Sequence, residues 1–357
     1  MLKKIIKIAA FVLALVLTLG ILQRILMPKY ISSAQDGRLI GEYYDSDKNH
    51  DVVFIGDCEV YENISPVTLW QDYGIASYVR GSPQQLIWHS YYLMEETLKY
   101  EKPKAIVFNV LSMKYGEPQS EAYNRLALDG MKWSQSKSES IKASMTEEED
   151  YLSYVFPLLR FHSRWKELKA EDFTYAFKKS PQLSINGYLM RIDVEGIDAL
   201  QTGRPLLDYT LPQICWDYLD RMRTLCEENG VALILMKAPT STPKWTWYDE
   251  WDAQVAEYAE KHGIAYYNFL QNIDAIGLDF TTDTYDQGGH LNLSGAEKLS
   301  RYFGKILTDD HGITGHKGEA AYESRWQTLT SQYEQIKATQ QKLLEENGKL
   351  TGFTGLE

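Results

Sequence analysis

Residues 51–59 read DVVFIGDCE, a short apolar run that closes on a glycine and is followed at once by an acid, a cysteine and a second acid. Such a run bounded by glycine is typical of a strand that is buried on both faces of a parallel sheet. Polar residues directly after the strand lie at the carboxyl edge of the sheet, where open α/β folds bind ligands. We therefore expect residues 57–59 to lie at a functional edge of the fold.

Four further short apolar runs follow, and helical patterns separate most of them. Strands that alternate with helices predict an α/β fold, with a five-stranded parallel sheet and helices on both of its faces. Ser65 and Pro66 predict the start of one helix, and the capping box at 294–297 predicts the start of another. The predicted strands cover residues 51–56, 75–79, 105–110, 231–236 and 264–268, and the other predicted helices cover 83–100, 212–229 and 249–262.

The alternation is interrupted between about residues 112 and 210, where charged and serine-rich helical stretches predict an insertion or lid. We expect one domain over residues 50–310 that contains this insertion, preceded by a polar spacer over 31–49. A C-terminal helix is predicted over 318–350. Its apolar residues recur at coiled-coil-like spacing for only a short length, so packing back on the domain is favoured over a coiled coil.

Residues 1–30 carry five basic residues and no acid, and an apolar run follows the first three lysines. A positive flank before the apolar run predicts a cytoplasmic amino end and an exported remainder. Residues 5–27 are long enough to cross a bilayer as a retained anchor. Residues 8–22 alone resemble the core of a signal peptide, and the small residues 32–34 offer a cleavage site. The anchor is favoured, and cleavage to a secreted form stays open.

The composition excludes several classes of protein. Beyond residue 30 the chain carries 32 basic and 49 acidic residues, so its surface repels phosphate backbones and nucleic acid is not expected as a partner. Three cysteines are too few for a disulfide scaffold, and Cys215 and Cys226 lie too far apart along one predicted helix to be bridged. The histidines show no paired metal-ligand spacing, so we expect no metal and no cofactor.

Two widely separated segments carry side chains suited to nucleophilic chemistry. Cys58 follows the first predicted strand at a helix start, which favours a thiolate, although a lone cysteine there is more often a buried core residue. In the glycine-rich segment 286–292 (DQGGHLN), Asp286 precedes His290 by four residues, an arrangement of a base with its orienting acid. Asp283 is a second candidate for that acid.

Two residues at the ends of the next strands complete the set of candidates. Gly81 follows the second predicted strand, and Asn109 lies within the third. An asparagine inside a buried strand must find hydrogen-bond partners, so its amide is either structural or a donor to an oxyanion.

Taken in chain order, these four blocks resemble the SGNH/GDSL hydrolase superfamily over residues 50 to 308. The resemblance is to a bacterial membrane-anchored branch that is related to the D-alanine transfer protein of teichoic acid synthesis and to polysaccharide O-acetyltransferases. It implies a flavodoxin-like, three-layer α/β/α fold. The implied activity is an esterase or O-acyltransferase that acts on a cell-envelope polysaccharide or another acyl ester, outside the cytoplasm.

The resemblance also implies roles for the candidate residues. By position, Cys58 takes the place of the nucleophilic serine, His290 that of the base and Asp286 that of its partner. Gly81 and Asn109, together with the backbone N–H of Cys58, take the place of the oxyanion hole. Two features depart from the family pattern: a cysteine replaces the serine, and the histidine follows the acid by four positions instead of three. The Gly288–Gly289 pair gives the loop the freedom to absorb the second departure.

Other interpretations of the sequence remain open. A non-catalytic descendant would bind a glycan or carrier for a membrane-bound O-acyltransferase, and an anchored scaffold would use its terminal helix for assembly. Two aromatic clusters either line a glycan cleft or are structural. They are His162, Arg164 and Trp165 in the insertion, and Trp245, Trp247, Tyr248 and Trp251 after the fourth strand.

Overall fold

A computed structural model describes residues 1–28, 37–178 and 181–355. Its centre is a sheet of five parallel strands in the order β2-β1-β3-β4-β5, so the predicted sheet and its flavodoxin-like order are confirmed. In this order the chain changes direction between β1 and β3, which makes the carboxyl ends of these two strands the expected ligand-binding edge. The strands are β1 (Val52–Gly56), β2 (Ser77–Gly81), β3 (Ala105–Asn109), β4 (Ala232–Lys237) and β5 (Ala265–Asn268).

Helices surround the sheet, and short 3-10 turns cover Tyr43–Asp45, Val110–Lys114, His162–Lys166, Pro243–Trp245 and Phe269–Asn272. The helices are α1 (Leu2–Leu26), α2 (Arg38–Glu42), α3 (Cys58–Tyr61), α4 (Pro66–Tyr73), α5 (Ile87–Tyr100), α6 (Glu121–Leu128), α7 (Gln135–Ser144), α8 (Tyr151–Val155), α9 (Leu158–Phe161), α10 (Ala170–Thr174), α11 (Gln213–Asn229), α12 (Asp249–His262), α13 (Ile273–Ile276), α14 (Leu293–Asp309) and α15 (Ala320–Asn347).

β1, β2, β3 and all but the first residue of β4 are buried, which explains the continuous apolar runs of β1, β3 and β4, whereas the edge strand β5 is only partly buried. Val52 and Phe54 of β1 pack in the core shared with α4 and α14, whereas Val53 and Ile55 pack in the core shared with α5, α11 and α12. The terminal helix α15 lies over α4, where Trp326 is buried and stacks on Trp70 with ring centroids 5.0 Å apart. The molecule therefore has three layers, with α15 packed back on the domain.

Two predicted helix starts have different outcomes. Ser65 caps α4 as predicted, since its Oγ accepts a hydrogen bond from the Thr68 N–H and Pro66 occupies the first helical position. The prediction for α14 is wrong, because this helix is capped by Asn292 and not by Ser294. Asn292 Oδ1 accepts a hydrogen bond from the Gly295 N–H at 3.2 Å, so Ser294 already lies in the first turn.

The stretch predicted as a spacer is packed on the domain where the structure describes it. Leu39 and Tyr43 are buried, and the Tyr43 hydroxyl donates to Glu101 at 2.7 Å. The proposed cleavage residues 32–34 lie outside the described residues.

Between β3 and α11 the chain forms α6 to α10 and then an irregular segment. The backbone N–H groups of Glu195 and Ile197 in this segment donate to the carbonyls of Thr284 and Phe280. The irregular segment thus lies against the loop that carries the predicted histidine.

A fully buried ion pair joins the ends of three strands. The Glu59 carboxylate, just after β1, lies 2.8 Å from the Lys237 ammonium at the end of β4, and neither side chain is accessible to solvent. Lys237 also donates to the Ala238 carbonyl and to Thr240, and Glu59 accepts a hydrogen bond from Asn109 at the end of β3. Burying charges is costly unless every one is paired, and here each has several partners.

We predict that Lys237→Met lowers the free energy of unfolding by about 3–5 kcal/mol, because it leaves the Glu59 charge buried without its counter-charge. Urea unfolding of the full chain in mild detergent, followed by tryptophan fluorescence, measures the change. Lys305→Met removes a lysine from the exposed pair with Asp309 and is the matched control, for which no measurable change is expected. Equal stability of the two variants would contradict a structural role for the buried pair.

Candidate active site

The turn after β1 places Cys58 at the carboxyl edge of the sheet. A β-carbon at Gly56 would lie 2.4 Å from a Val60 methyl group and 2.9 Å from the Asn109 β-carbon, so only glycine fits where the strand ends. Asp57 then caps α3, since its Oδ1 accepts a hydrogen bond from the Glu59 N–H at 3.1 Å. Cys58 occupies the first position of α3 and is only 8% exposed.

The glycine-rich loop before α14 places His290 against this turn. Asp286 accepts two hydrogen bonds from the same residue, from the His290 backbone N–H at 2.7 Å and from the imidazole Nδ1 at 2.6 Å. A β-carbon at Gly289 would lie 2.7 Å from the Asp286 carboxylate, so the four-residue spacing closes only because a glycine lies inside it. The Leu291 N–H donates to Asn63 Oδ1 at 2.9 Å, which ties the loop to the end of α3.

Asp283, the alternative partner for the histidine, is directed elsewhere. Its carboxylate accepts hydrogen bonds from the Lys298 ammonium at 2.7 Å and from the Asp279 N–H at 2.8 Å. Of the two candidate acids, Asp286 is therefore the one that orients the imidazole.

The imidazole Nε2 faces the Cys58 thiol and the Glu62 carboxylate. Glu62 Oε1 lies 3.7 Å from Nε2, and the thiol and imidazole interact electrostatically. Neither the thiol nor the Glu62 carboxylate forms a hydrogen bond with Nε2, which has no partner of suitable geometry among the described residues. Nε2 is thus the nitrogen that is left to accept or deliver a proton at the thiol.

Burial and neighbouring charges set the protonation of the pair. Burial raises the pKa of the Cys58 thiol to about 12, and the adjacent His290 opposes this shift. Burial alone would lower the pKa of His290, but the charges of Glu62 and Cys58 and the hydrogen bond that the imidazole donates to Asp286 outweigh it and raise the pKa well above its usual value. At neutral pH this favours a neutral thiol beside an imidazolium that is held between two carboxylates.

Glu62 is a site residue that the sequence analysis did not identify. It is buried, and the Tyr285 hydroxyl donates to its carboxylate. The Tyr285 ring stacks on the His290 imidazole, with an interplanar angle of 15°. The Arg191 guanidinium lies 4.3 Å from the centre of the Tyr285 ring. The sequence contains one indication that Glu62 lies near Cys58: an acid four residues after Cys58 lies on the same side of a helical turn.

Gly81 lies beside the turn that carries Cys58, at the end of β2. It pairs with Gly56 in the register of β1 and β2, and a β-carbon there would lie 3.0 Å from the Gly56 carbonyl oxygen and 3.0 Å from the Tyr61 ring. A side chain at position 81 would therefore require the Gly56 carbonyl or the Tyr61 ring to move away.

Asn109 also lies at this edge, but its amide is fully engaged. Nδ2 donates to Asp57 at 3.2 Å and to Glu59 at 3.0 Å, and Oδ1 accepts from the Ala238 N–H. The two acceptors are buried carboxylates, and burial followed by the charge on Glu59 raises the pKa of Asp57 to about 7. Asn109 therefore acts as a structural amide in this state and would have to release one acceptor to bind an oxyanion.

The two aromatic clusters identified in the sequence, at 162–165 and 245–251, lie in different parts of the structure. The Trp245 ring lies edge-on to His290, with centroids 4.7 Å apart, whereas Trp247 and Trp251 are buried against each other. Arg164 donates instead to the carbonyl of Leu26 at the end of α1. Only the cluster after β4 thus contributes a side chain that contacts the candidate catalytic residues.

Comparisons with known proteins give structural similarity alone. No family model matches the chain, and no curated protein matches it. A protein assigned to the lipolytic G-D-S-L family from Desulfitobacterium hafniense DCB-2 is 15% identical, with a TM-score of 0.38, covering 72% of this chain and 100% of that one. An acylhydrolase-like protein from Bacteroides fragilis NCTC 9343 is 11% identical, with a TM-score of 0.39, covering 78% and 97%.

An acetyl xylan esterase from the rumen bacterium Butyrivibrio proteoclasticus is 9% identical, with a TM-score of 0.32, covering 75% of this chain and 66% of that one. At such TM-scores these likenesses carry no functional argument. The function is argued below from the residues themselves.

We predict that Glu62→Gln lowers the pKa of the His290 imidazole, because it removes a carboxylate that favours the charged ring and leaves burial unopposed on that side. The shift is measured by following the His290 carbon resonance with pH in protein labelled at histidine. Asp283→Asn removes an acid from the same loop that does not face the ring, and we expect it to leave this pKa unchanged. An unchanged His290 pKa in Glu62→Gln would contradict the role of Glu62 as a carboxylate that stabilises the charged imidazole.

Proposed function

We propose that the protein is a membrane-anchored, extracytoplasmic enzyme that hydrolyses or transfers acyl esters through Cys58, His290 and Asp286. The observation that carries this proposal is the line from the Asp286 carboxylate through the His290 ring to the Cys58 thiol at the carboxyl edge of the sheet. A nucleophile beside a base that is oriented by an acid is the arrangement used for acyl transfer on several unrelated folds.

The proposed reaction runs through a thioester. The neutral form of His290, which the raised pKa makes the minor form at neutral pH, takes the proton of Cys58. The thiolate then attacks the ester carbonyl, and the backbone N–H groups of Cys58 and Gly81 are the proposed oxyanion donors. Collapse of the tetrahedral intermediate expels the alcohol, which receives the proton from the imidazolium. Water or a sugar hydroxyl then attacks the thioester and gives its proton to His290. The bond to sulfur breaks, the imidazolium returns the proton to the Cys58 thiolate, and the acyl group leaves as an acid in hydrolysis or as a new ester in transfer.

The proposed location rests on α1. It is long and apolar enough to cross a membrane, by length and composition only, and lysines precede its apolar run. With the amino end in the cytoplasm, the site would face the cell envelope. Together with the resemblance to polysaccharide O-acetyltransferases, this favours an envelope polysaccharide or a related acyl ester as the substrate.

A second function has a specific observation in its favour. The Cys58 thiol is buried with a strongly raised pKa, and both hydrogens of the Asn109 amide are engaged by carboxylates. These features suit a non-catalytic member of the same fold that binds a glycan or a carrier as an accessory to a membrane-bound O-acyltransferase. The two functions differ in whether Cys58 ever carries an acyl group.

We predict that the full chain in detergent, incubated with p-nitrophenyl acetate, gains one acetyl group on Cys58. Intact-mass spectrometry with peptide mapping detects the adduct. It should disappear in Cys58→Ala and form at least about a hundredfold more slowly in His290→Ala, because general-base assistance is typically worth that much. Cys226→Ala removes another buried free thiol, far along the chain, and should react like the wild type.

The absence of any adduct and of any nitrophenol release above buffer in the wild type would overturn the catalytic proposal. The binding function would then be tested by titrating the full chain with envelope polysaccharide fragments.

A further inference from the structure

The end of α1 is held to the domain by a charged contact. The helix is exposed over most of its length, but Leu26 in its last turn is buried. One nitrogen of the Arg164 guanidinium donates to the Leu26 carbonyl at 2.7 Å, and another pairs with the buried Asp172 at 2.8 Å. The position of this part of the domain relative to the end of α1 is therefore defined by direct bonds.

The elements around this contact expose large apolar side chains. α9, the 3-10 turn at His162–Lys166 and α10 all contact α1, and α8 packs against α9. Some aromatic residues of these elements, such as Tyr154 and Phe161, are buried in the domain. The large apolar residues that remain exposed in this stretch are Leu152, Phe156, Leu159, Trp165, Phe173 and Phe177.

The charge of the same stretch differs from that of the whole chain. Residues 151–178 carry five basic and three acidic residues, whereas the chain carries a net charge of −12. Exposed Trp and Phe among Lys and Arg are typical of segments that lie in the interface of a bilayer, where the rings enter the acyl boundary and the cations meet lipid phosphates. A concentration of exposed apolar side chains is uncommon on a surface that faces only water.

We propose that residues 151–178, which we call the interfacial platform, lie in the outer interface of the bilayer that α1 crosses. If α1 spans the membrane, Leu26 marks the level at which the chain leaves it. Side chains on elements that contact this end lie at headgroup depth, where aromatic rings are favoured. The proposal rests on retention of α1, and it is independent of the chemistry at Cys58.

A membrane-bound platform gives the molecule two attachments to the lipid. A single helix would leave the domain free to rotate about its end, whereas the platform fixes its tilt. The carboxyl edge of the sheet, with Cys58 and His290, is then held in one orientation relative to the membrane. Substrates carried by lipids would meet the site at a constant height.

The test places nitroxide labels on the full chain in proteoliposomes that contain phosphatidylcholine and phosphatidylglycerol. Trp165→Cys puts a label on the platform; Leu13→Cys puts one in the middle of α1. Glu260→Cys puts one on the exposed face of α12, which packs on β5 at the opposite edge of the sheet from β2. The unsubstituted chain gives the background from the native cysteines, all of which are buried. Power saturation with oxygen and a water-soluble nickel complex gives the depth of each label.

We expect the oxygen-to-nickel accessibility ratio at residue 165 to be several times that at residue 260, with a depth about 5–10 Å into the headgroup and acyl boundary. The ratio at residue 13 should be the highest. An aqueous label at 165 beside a deeply embedded label at 13 would overturn the platform while leaving the anchor intact. A label at 165 that neither reagent reaches would mean that a second copy covers the platform, which also overturns the proposal. Aqueous labels at both positions would remove the anchor and the platform together.

Discussion

Glu59 and Lys237 form an ion pair that water does not reach, and the geometry of the candidate active site depends on it. The pair connects the turn that carries Cys58 to the end of β4, and Asn109 joins it from β3. Parallel strands are hydrogen-bonded along their length but not beyond their ends, so the edge that holds the site needs bonds of its own. This network supplies them, at the desolvation cost that buried charges carry.

The same region holds three carboxylates close to Cys58 and His290, and all three are buried. Asp57 caps the short helix that begins at Cys58, Glu59 anchors it, and Glu62 faces the imidazole from its end. Three acids within six residues would repel one another in a dry environment. Glu59 is paired with Lys237 and Glu62 faces His290, whereas Asp57 has no cationic partner among the described residues and its pKa is raised by burial and by the charge on Glu59. The pKa values of the thiol and the imidazole follow from where these charges are held.

Much of the fold was predictable from local pattern. The β1 run, the Ser65–Pro66 helix start and the order of strands and helices follow from short segments of sequence. The strand ends differ from the prediction by at most two residues, whereas α5 begins four residues later than predicted. The Asp286–His290 contact was also predictable, since both residues lie in one loop. The role of Glu62 was not, because it depends on a tertiary contact with residues more than two hundred positions away.

Asn109 shows a second reason why the site could not be fully predicted from the sequence. Its place at the end of β3 follows from the pattern, but whether its amide is free depends on Asp57 and Glu59, which reach it from another strand. The helix cap of α14 was misassigned for a related reason. Ser294 and Asn292 both suit a cap, and only the path of the loop decides which side chain reaches the free N–H groups.

The separation of Cys58 from His290 along the chain has a consequence for biogenesis. The contact that brings their segments together, from Leu291 to Asn63, spans 228 residues, and the one from Ser65 to Ser300 spans 235. If the chain is exported from its amino end, as proposed, Cys58 crosses the membrane long before His290. The two side chains would then meet only after nearly the whole domain has emerged, and a truncated or stalled translocation product would carry Cys58 without His290 beside it.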